Sequence, residues 1–386
     1  MRSFQTKQKQ LQWVEIDPSA LKNNIFQFRS LIGNARKMTA VVKSNAYGHG
    51  LLETSRLAAE YGADWLGVNS LDEARAIRNS GIDIPIIVLG YVPLHELEDA
   101  VKNDLRLTVY NNETIEKLGR IASALKTKVS LHIKTETGVH RQGITGETLL
   151  PFVEQISEND YLEIEGLSMH FANIEDTTDH SYAQSQLGKF KEYVDVLAKN
   201  GINIPVKHVA CSAAAILFPE TLFDMVRVGI GIYGLWPSKE TYLSCIKEQR
   251  EPVNLEPVLT WKTRVVQIKE VPEGSFIGYG CTYKTTRPTK LAVLPVGYYD
   301  GYDRLLSNSA YVLIAGKRAP VRGRVAMNFI TVDVTDILGV QLEDEVVLIG
   351  QQGQEKISAE YLASLCGTIN YEIVTRINPK TPRIVV

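Results

Sequence analysis

The chain has 386 residues, of which 44% are hydrophobic and 22% are charged, and its formal net charge is −2. This length favours about two domains, and the near-neutral charge gives no electrostatic basis for binding nucleic acid or an anionic membrane. We find neither the apolar core of a signal peptide nor a run of about 18 apolar residues, so we predict no membrane span. The four cysteines are far apart and form no C-x-x-C pair, which argues against a disulfide framework or zinc ribbon and favours the cytoplasm.

Short apolar strands alternate with amphipathic helices over the first part of the chain. We predict eight strands, at Met38–Lys43, Trp65–Val68, Pro85–Leu89, Arg106–Tyr110, Val129–Lys134, Ile164–His170, Val206–Ala210 and Met225–Gly229. Predicted helices include Leu51–Tyr61, Leu71–Asn79, Thr114–Leu125 and Tyr182–Asn200. Ser70 and Glu73 form a capping box at the start of the second of these helices. Eight strand–helix alternations favour a TIM-like (β/α)8 barrel over an open sheet.

The pattern changes after Trp236 and Pro237. Residues 257–386 are rich in Val, Thr, Ile and Tyr with period-two alternation and frequent Gly and Pro, which predicts a mostly-β domain. Strand segments are predicted at Trp261–Ile268, Leu291–Val296 and Ile330–Val334, and a helix at Ala359–Cys366.

These patterns predict a barrel over residues 13–240 and a C-terminal β domain over residues 255–386. We expect residues 1–12 to pack with the β domain. The stretch Ser238–Glu256, which contains Pro252, is predicted to be a weakly structured linker.

The segment Ala40-Val-Val-Lys43-Ser-Asn-Ala-Tyr47-Gly-His-Gly50 carries the strongest chemical signal. Lys43 ends a β-branched run and would lie at the carboxyl end of the first barrel strand, where barrel enzymes keep their chemistry. A lysine held away from water there has a lowered pKa and an available lone pair, so it is a candidate Schiff-base residue. The alternative is a solvated lysine that leaves a strand.

The segments after the seventh and eighth predicted strands suit an anion. Ser212 opens an Ala-rich helical segment, whose free N–H groups and dipole favour phosphate; an ordinary helix cap is the alternative. In Arg227-Val-Gly229-Ile230-Gly231 the glycines let backbone N–H groups approach a phosphate closely. Barrel enzymes often bind phosphate in these two loops.

The lysine block and both of these segments closely resemble those of the alanine racemase family, whose members carry pyridoxal 5'-phosphate on a TIM-like barrel followed by a β domain. The resemblance extends over essentially the whole chain, in the family's order of motifs. It implies that Lys43 binds pyridoxal 5'-phosphate. It also implies phosphate ligands at Tyr47, Ser212, Gly229, Ile230 and Tyr371.

The resemblance further implies that Arg227 faces the pyridine nitrogen and that His170 supports this arginine. Because an arginine keeps its proton, the nitrogen would stay unprotonated and the cofactor would be a weaker electron sink. A weak sink favours simple proton return over side reactions. For His170 the alternative is a strand-end histidine with ordinary hydrogen bonds.

Racemisation needs a proton donor or acceptor on each face of a planar carbanion, and Lys43 can serve one face. The segment Ser275-Phe-Ile-Gly-Tyr279-Gly-Cys-Thr-Tyr283 resembles the family's catalytic tyrosine segment, which assigns Tyr279 to the other face. In the family this tyrosine comes from the partner subunit. The resemblance therefore implies a homodimer whose active sites are shared between subunits.

The segment from Leu131 to Gly143 is similar to the family motif K-x-D-T-G-M-x-R-x-G. It implies that Arg141 contacts the phenolic oxygen of the cofactor and the substrate carboxylate. It also implies that Lys134, carbamylated in many members, orients this arginine. Glu136 and Val139 stand where the family has Asp and Met.

Two C-terminal segments resemble the family's substrate entrance. Met327 and Asn328 lie in Gly323–Phe329, and Tyr298 matches the tyrosine of the inner gate. Asn328 stands where the family more often has Asp, and the lost charge gives room for other substrates. Cys211 stands where Asn is common.

The resemblance implies racemisation of L-alanine to D-alanine, which would supply D-alanine for peptidoglycan. The alternatives are a racemase of serine, lysine or another amino acid, and a non-catalytic carrier of pyridoxal phosphate. A basic amino-acid decarboxylase of the same fold would carry an acidic residue in place of Arg227. We predict no metal site, because His49, His132 and His140 lie in separate segments without an acidic cluster.

Overall fold

The computed structural model describes residues 10–386, and the prediction for residues 1–9 lies outside the described residues. The chain divides into two compact units. The barrel unit consists of Leu21–Ala46 and Thr54–Glu256, and the β unit consists of the described residues up to Ala20, Tyr47–Glu53 and Pro257–Val386. The first strand, β1 (Gln12–Ile16), belongs to the β unit.

The barrel unit contains eight parallel strands whose β-branched and apolar residues are almost all buried. They are β2 (Lys37–Val41), β3 (Trp65–Val68), β4 (Ile86–Val88), β5 (Arg106–Val109), β6 (Val129–Lys134), β7 (Leu162–Ser168), β8 (Val206–His208) and β9 (Met225–Val228). Each strand from β2 to β8 pairs with the next, and β2 also pairs with β9. Hydrogen bonds from Asp224 N to Lys207 O and from Arg227 N to Ala210 O, both 3.0 Å, join the last two strand segments. The sheet is therefore a nearly closed barrel.

One helix precedes the first of these strands, and helices follow most of the strands along the chain. They are α1 (Pro18–Ile32), α2 (Leu51–Glu60), α3 (Leu71–Asn79), α4 (Leu97–Lys102), α5 (Asn112–Leu125), α6 (Gly146–Ser157), α7 (Ser181–Lys199), α8 (Ser212–Leu217) and α9 (Lys239–Lys247). Short 3-10 turns lie at Leu94–Glu96, Pro219–Thr221 and Ile230–Tyr233. The predicted capping box is confirmed, because Ser70 Oγ accepts a bond from Glu73 N and the Glu73 carboxylate accepts one from Ser70 N.

The prediction of a weakly structured linker at Ser238–Glu256 is wrong for its first half. Ser238 is the N-cap of α9, because its hydroxyl accepts a bond of 2.8 Å from Thr241 N. Thr241, Ser244 and Cys245 are buried on the inner face of this helix. The helix was missed because its buried face is built from small and polar residues rather than from a periodic apolar stripe.

The β unit is built mainly from antiparallel strands. Besides β1 they are β10 (Leu259–Arg264), β11 (Gln267–Val271), β12 (Phe276–Ile277), β13 (Tyr283–Lys284), β14 (Thr289–Leu294), β15 (Tyr311–Ile314), β16 (Lys317–Pro320), β17 (Ile330–Asp333), β18 (Glu345–Gln352), β19 (Glu355–Ile357) and β20 (Arg383–Val385). The main sheet has the order β16-β15-β18-β10-β1-β20, with β19 on β18, and a second sheet has the order β11-β14-β17. β12 and β13 form a separate pair, and β1 and β20 pair in parallel.

Large aromatic side chains fill the interior of the β unit. Trp13, Trp261 and Tyr302 are almost completely buried, and buried and partly exposed residues alternate along β10, which gives this strand one buried face. Helices α10 (Ala359–Cys366) and α11 (Asn370–Thr375) complete this unit, with 3-10 turns at Tyr279–Cys281, Tyr298–Asp300 and Arg304–Leu306. The predicted fold class, a TIM-like (β/α)8 barrel with a C-terminal mostly-β domain, is confirmed.

Residues 10–386 offer neither a membrane-spanning helix nor a cluster of metal ligands. No helix among these residues is both long enough and apolar enough to cross a bilayer. Among the same residues, no group of three His, Cys, Asp or Glu side chains is arranged to hold a metal ion.

Candidate active site

A cavity of about 270 Å³ opens at the carboxyl ends of the barrel strands. Its walls are formed by Lys43, Asn69, Leu89, Thr108, Lys134, Arg141, Gln142, Ser168, His170, His208 and Arg227. Four of these residues are lysines or arginines and none is a carboxylate. The cavity is therefore suited to an anionic ligand.

Lys43 lies directly after strand β2, at the start of a left-handed turn. The backbone φ angles of Ser44, Asn45, Ala46 and Tyr47 are 56°, 55°, 52° and 52°, a conformation that costs L-residues about 1–2 kcal/mol each. Burial lowers the pKa of Lys43, the charge of Arg141 lowers it further, and the charge of Glu73 opposes the shift. The lowered pKa increases the fraction of Lys43 that is in the neutral, nucleophilic amine form at neutral pH.

Glu73 holds the beginning of this turn. One carboxylate oxygen accepts a bond of 2.5 Å from Ser44 N, and the other accepts one of 2.9 Å from Asn69 N. The same side chain completes the capping box of α3. The backbone next to Lys43 is therefore fixed to the start of a neighbouring helix.

Ser212 and the glycine-rich segment after β9 meet in the barrel unit. The buried hydroxyl of Ser212 accepts bonds of 3.0 Å from Gly229 N and 3.3 Å from Gly231 N. Because both contacts are accepted by its oxygen, the hydroxyl proton remains available to donate to an anion. A Cβ on Gly231 would lie 2.3 Å from the ring of Phe28, so this position requires glycine. Ile230 opens the 3-10 turn Ile230–Tyr233 between these two amides.

Arg227 is only 6% exposed and its guanidinium is held on several sides. Nη1 donates to His208 O at 2.7 Å, and Nη2 donates to Met169 O at 2.9 Å and to Val209 O at 3.2 Å. Burial lowers the pKa of Arg227 to about 10, which leaves it protonated at neutral pH. It therefore contributes a fixed positive charge to the cavity wall.

His208, rather than His170, makes the short side-chain contact to Arg227. His208 Nδ1 lies 2.5 Å from Arg227 Nη1, whereas His170 Nδ1 lies 3.5 Å from Nη2, at the limit of a hydrogen bond. Burial lowers the pKa of His170 well below its usual value, and the charge of Arg227 acts in the same direction. No sequence motif gave His208 a role, although its place at the end of β8 is the signal that could have found it.

Lys134 ends strand β6 and contributes its side chain to the cavity wall. Burial lowers the pKa of Lys134 well below its usual value, and the charges of Arg227 and Arg141 lower it further. An uncharged amine in this position is a nucleophile surrounded by cations.

The loop that carries Arg141 is organised by Glu136, one of the two departures from the family motif. Its carboxylate accepts bonds from Gly138 N, Val139 N and Arg141 N, at 2.5, 2.8 and 3.3 Å. The Glu136 carboxylate therefore fixes the backbone of the loop that carries Arg141. Arg141 itself is exposed while it lines the cavity.

The β unit holds the other predicted site residues. The rings of Tyr47 and Tyr371 lie 6.0 Å apart between centroids at an angle of 50°. Tyr371 is in helix α11, and Tyr47 is nearly buried.

Three loops of the β unit place Tyr279, Tyr298, Met327 and Asn328 on its surface. Tyr279 is 75% exposed, Met327 is 54% exposed and Tyr298 is 43% exposed. Tyr298 N donates to Ala326 O at 3.0 Å, which joins two of the loops.

The loop that carries Tyr279 closely approaches the loop that carries Met327 and Asn328. A Cβ on Gly323 would lie 2.5 Å from Ile277 O, and one on Gly280 would lie 2.7 Å from the guanidinium of Arg324. Phe276 in the adjoining strand β12, and Tyr299 and Phe329 on two of these loops, are also exposed. A set of exposed aromatic side chains of this kind is typical of an interaction surface.

Comparison with known proteins agrees with this description over nearly the whole chain. The family model of the alanine racemase N-terminal domain matches residues 16–237, and that of the C-terminal domain matches residues 258–385. Alanine racemase from Halothermothrix orenii is 45% identical over 371 residues, which cover 96% of each chain. Alanine racemase from Leptospira interrogans serovar copenhageni is 42% identical over 374 residues, 97% of this chain and 95% of the relative.

Solved structures give the same result. The crystal structure of alanine racemase from Bacillus anthracis with bound L-Ala-P has a TM-score of 0.90 at 37% identity and covers 98% of this chain and 95% of its own. Alanine racemase from Clostridium difficile 630 in complex with cycloserine has a TM-score of 0.88 at 33% identity, over 97% and 95%. The chain therefore belongs to the alanine racemase family of amino-acid racemases.

Proposed function

We propose that this protein racemises L-alanine to D-alanine with pyridoxal 5'-phosphate bound at Lys43. The observation that carries the proposal is the cavity at the carboxyl ends of the barrel strands, where a lysine of lowered pKa is surrounded by cationic groups and no carboxylate lines the wall. The names of the relatives support alanine as the substrate. D-Alanine for peptidoglycan is the corresponding biological use.

The residues of the barrel unit fit an anionic cofactor of this kind. Ser212 has a hydroxyl proton to donate, and it lies against the amides of Gly229 and Gly231. We assign the phosphate to Ser212, Gly229 and Ile230. When bound, pyridoxal phosphate would supply the electron sink that weakens the Cα–H bond of an amino acid.

Arg227 is assigned to the pyridine nitrogen, with His170 beside it. Three carbonyls and His208 fix the guanidinium, and its retained proton makes it a donor only. A carboxylate in this position would instead hold a proton on the nitrogen and support decarboxylation. The absence of a carboxylate from the cavity wall, within the described residues, therefore favours racemisation.

Four further roles follow from the family resemblance and belong to the proposal. Arg141 would bind the substrate carboxylate, and Lys134 would orient it, as an amine or as a carbamate. Tyr47 and Tyr371 would act as further phosphate ligands. The neutral Lys134 favoured by burial is the form that reacts with carbon dioxide.

Proton transfer is assigned to Lys43 on one face of the substrate and to Tyr279 of the partner subunit on the other. The exposure of Tyr279 supports this assignment, because a catalytic tyrosine that acts within its own subunit would be sheltered from water. Met327, Asn328 and Tyr298 lie on the same exposed loops, and we assign them to the substrate entrance. The proposal therefore includes a homodimer with shared active sites.

The predicted domain bounds and location are kept as part of this proposal, with the difference that strand β1 (Gln12–Ile16) belongs to the β unit. The family models match on both sides of the predicted division between residues 240 and 255, which supports those bounds. The cysteines Cys211, Cys245, Cys281 and Cys366 are all free thiols, which supports a reducing cytoplasm.

The direct test is incubation of the purified protein with pyridoxal phosphate and L-alanine, followed by chiral chromatography. We expect D-alanine to accumulate to an equal mixture of the two enantiomers. The same assay with L-serine and L-lysine tests the alternative of another or a broader substrate range. Alanine that remains entirely L, while another amino acid racemises, would reject alanine as the substrate.

A variant separates an enzyme from a carrier of the cofactor. Tyr279→Phe removes one exposed hydroxyl, so a racemase should lose about 100-fold or more in turnover with an unchanged lysine–cofactor absorbance band. Tyr299→Phe, a neighbouring exposed tyrosine, should leave turnover unchanged. Equal activity of Tyr279→Phe and the wild type would contradict the assigned role of Tyr279.

A further inference from the structure

A line of four hydrogen-bonded side chains runs through the barrel unit and ends at Arg227. Glu165 Oε2 lies 3.1 Å from His132 Nε2, and His132 Nδ1 lies 2.8 Å from His208 Nε2. His208 Nδ1 in turn lies 2.5 Å from Arg227 Nη1. Both imidazoles are almost completely buried, so neither has water as an alternative partner.

The donors in this line can be assigned from its two ends. A guanidinium only donates, so His208 Nδ1 must accept and His208 carries its proton on Nε2. His132 Nδ1 then accepts the hydrogen bond from His208 Nε2–H. His132 therefore carries its own proton on Nε2, where it donates to the carboxylate of Glu165. Every N–H donor in the line therefore points toward Glu165. A second proton on either imidazole ring would place two N–H donors against each other.

The environment favours the charges that this assignment requires. Burial lowers the pKa of His132, although the bond to Glu165 opposes the shift. Burial lowers the pKa of His208 well below its usual value, and the charge of Arg227 acts in the same direction. Burial raises the pKa of Glu165, but the hydrogen bond from His132 and the charge of Arg106 outweigh burial, and the net shift is downward. Both histidines are therefore neutral and Glu165 is ionised at neutral pH.

The backbone of strand β7 leaves room for these hydrogen-bonded side chains. Strand β7 has an irregular register against β6: Leu131 pairs with Ile164 and His132 pairs with Gly166, so Glu165 is the extra residue of a bulge. Bulges commonly redirect a side chain close to an active site. A Cβ on Gly166 would lie 2.1 Å from His132 Nδ1, so only glycine leaves room for this ring.

Glu165 lies toward the amino ends of the strands, away from the cavity. Its carboxylate is 3.5 Å from the guanidinium of Arg106, the first residue of β5, and it does not line the cavity. His132 does not line the cavity either, whereas His208 and Arg227 do. The line therefore connects a charge outside the candidate active site to the arginine inside it.

We propose that Glu165 and His132 are positioning residues for racemisation, because they fix the tautomer of His208 that accepts from Arg227 and so hold the guanidinium in its place in the cavity wall. The positioning role in racemisation rests on the proposed function, whereas the direction of the hydrogen bonds does not. Without Glu165, His132 is free to move its proton to Nδ1. His208 would then take its proton on Nδ1, against the N–H of Arg227, and the guanidinium would lose its side-chain acceptor.

The first test reads the tautomers directly and does not depend on activity. In the holoenzyme labelled with ¹⁵N-histidine, long-range ¹H–¹⁵N spectra should show His132 and His208 as neutral rings with the proton on Nε2. In Glu165→Leu the His132 pattern should change, with the proton on Nδ1 or in exchange between the nitrogens. A wild-type His208 protonated on Nδ1, or unchanged spectra in Glu165→Leu, would overturn the proposal.

The second test connects the line to function. Glu165→Leu should lower kcat for L-alanine by about tenfold or more, as loss of a partner behind a site residue commonly does, with KM changed by less than about threefold. It should also weaken the binding of pyridoxal phosphate, measured by equilibrium dialysis. Glu165→Gln keeps an oxygen that accepts from His132 and should restore most of both properties.

Glu163→Leu is the matched control, because Glu163 is an exposed carboxylate two residues away on the same strand. Its spectra, kcat and cofactor affinity should equal those of the wild type. Equal kcat and affinity for Glu165→Leu and Glu163→Leu would reject the positioning role. If the wild type racemises no alanine, the proposed function fails, while the spectra still decide whether the hydrogen-bonded line has the assigned direction.

Discussion

Single cationic residues dominate the barrel cavity, and one of them is Lys134 at the end of strand β6. Its side chain is surrounded by protein, and Arg227 and Arg141 add positive charge nearby. Both effects favour the neutral amine in the folded protein, whereas an unfolded chain would hold the same lysine in its charged form. The side chain therefore links folding to proton release.

This linkage predicts a pH-dependent effect of Lys134→Met. Below the ordinary pKa of lysine the unfolded chain binds a proton that the folded chain does not hold, so the free energy of unfolding rises with pH across this range. Replacement by Met removes that contribution. We expect Lys134→Met to gain more stability over the wild type at about pH 7 than at about pH 9.5, measured by urea unfolding of the apoprotein in bicarbonate-free buffer.

The matched control is Lys128→Met, which removes an exposed lysine just before the same strand. Its effect on stability should be the same at both pH values. A Lys134→Met effect that is equally independent of pH would show that Lys134 is charged in the folded protein. The protein concentration has to be kept constant, since association would also alter the apparent stability.

Which residues line the cavity could be predicted well from the sequence, whereas their partners could not. Lys43 is predicted from its place at a strand end, and Lys134, Arg141, His170 and Arg227 are predicted from the family resemblance. The structure brings all five together. The contact between His132 and His208 depends on the pairing of β6 and β8 with the two sides of β7 and on the bulge at Glu165. A one-residue change of register is not visible in a strand pattern.

At the level of secondary structure, the turn after β2 decides where Lys43 is held. Four consecutive non-glycine residues with positive φ angles are unfavourable on their own. They persist only where surrounding contacts fix them. Glu73, at the start of helix α3, supplies one such contact through Ser44 N.

Glu73→Ala should therefore affect both stability and activity. Loss of the capping box and of the bond to Ser44 N should lower the free energy of unfolding by about 1–3 kcal/mol. The turn should then hold Lys43 less firmly, so kcat for alanine should fall as well. Urea unfolding and the chiral assay measure the two effects.

Asp72→Ala is a suitable comparison, because Asp72 is an exposed acid in the same first turn of α3. It should change the stability by less than about 0.5 kcal/mol and leave kcat unchanged. A Glu73→Ala protein that is destabilised but has the wild-type kcat would show that the cap serves the helix alone.

Secondary-structure elements could be predicted where one physical signal was strong. Strands β3 and β6 and helices α3 and α10 have the predicted bounds, since β-branched runs or capping residues define them. Strand β2 ends at Val41 rather than at the predicted Lys43, because the left-handed turn begins directly after Lys43. No propensity scale predicts that turn, since only Asn45 among its members commonly adopts such angles.

At the scale of the whole molecule, the exposed surface of the β unit is the feature that a single copy of the chain leaves uncovered. Tyr279 and its neighbours on three joined loops expose several large aromatic side chains to water. Such a surface is costly unless it is covered. A second copy of the chain that received Tyr279 would cover the surface and complete an active site.

This arrangement predicts that two inactive variants complement each other. Lys43→Ala and Tyr279→Phe each remove one proton-transfer group, so each homodimer should be nearly inactive. After mixing, dissociation and reassociation, about half of the dimers should be mixed, and each of these contains one site with both groups, which gives about a quarter of the wild-type activity. The chiral assay measures the recovery, and analytical ultracentrifugation confirms the dimers. If Tyr279 acted within its own subunit, every site in the mixture would lack one group, and no activity would return.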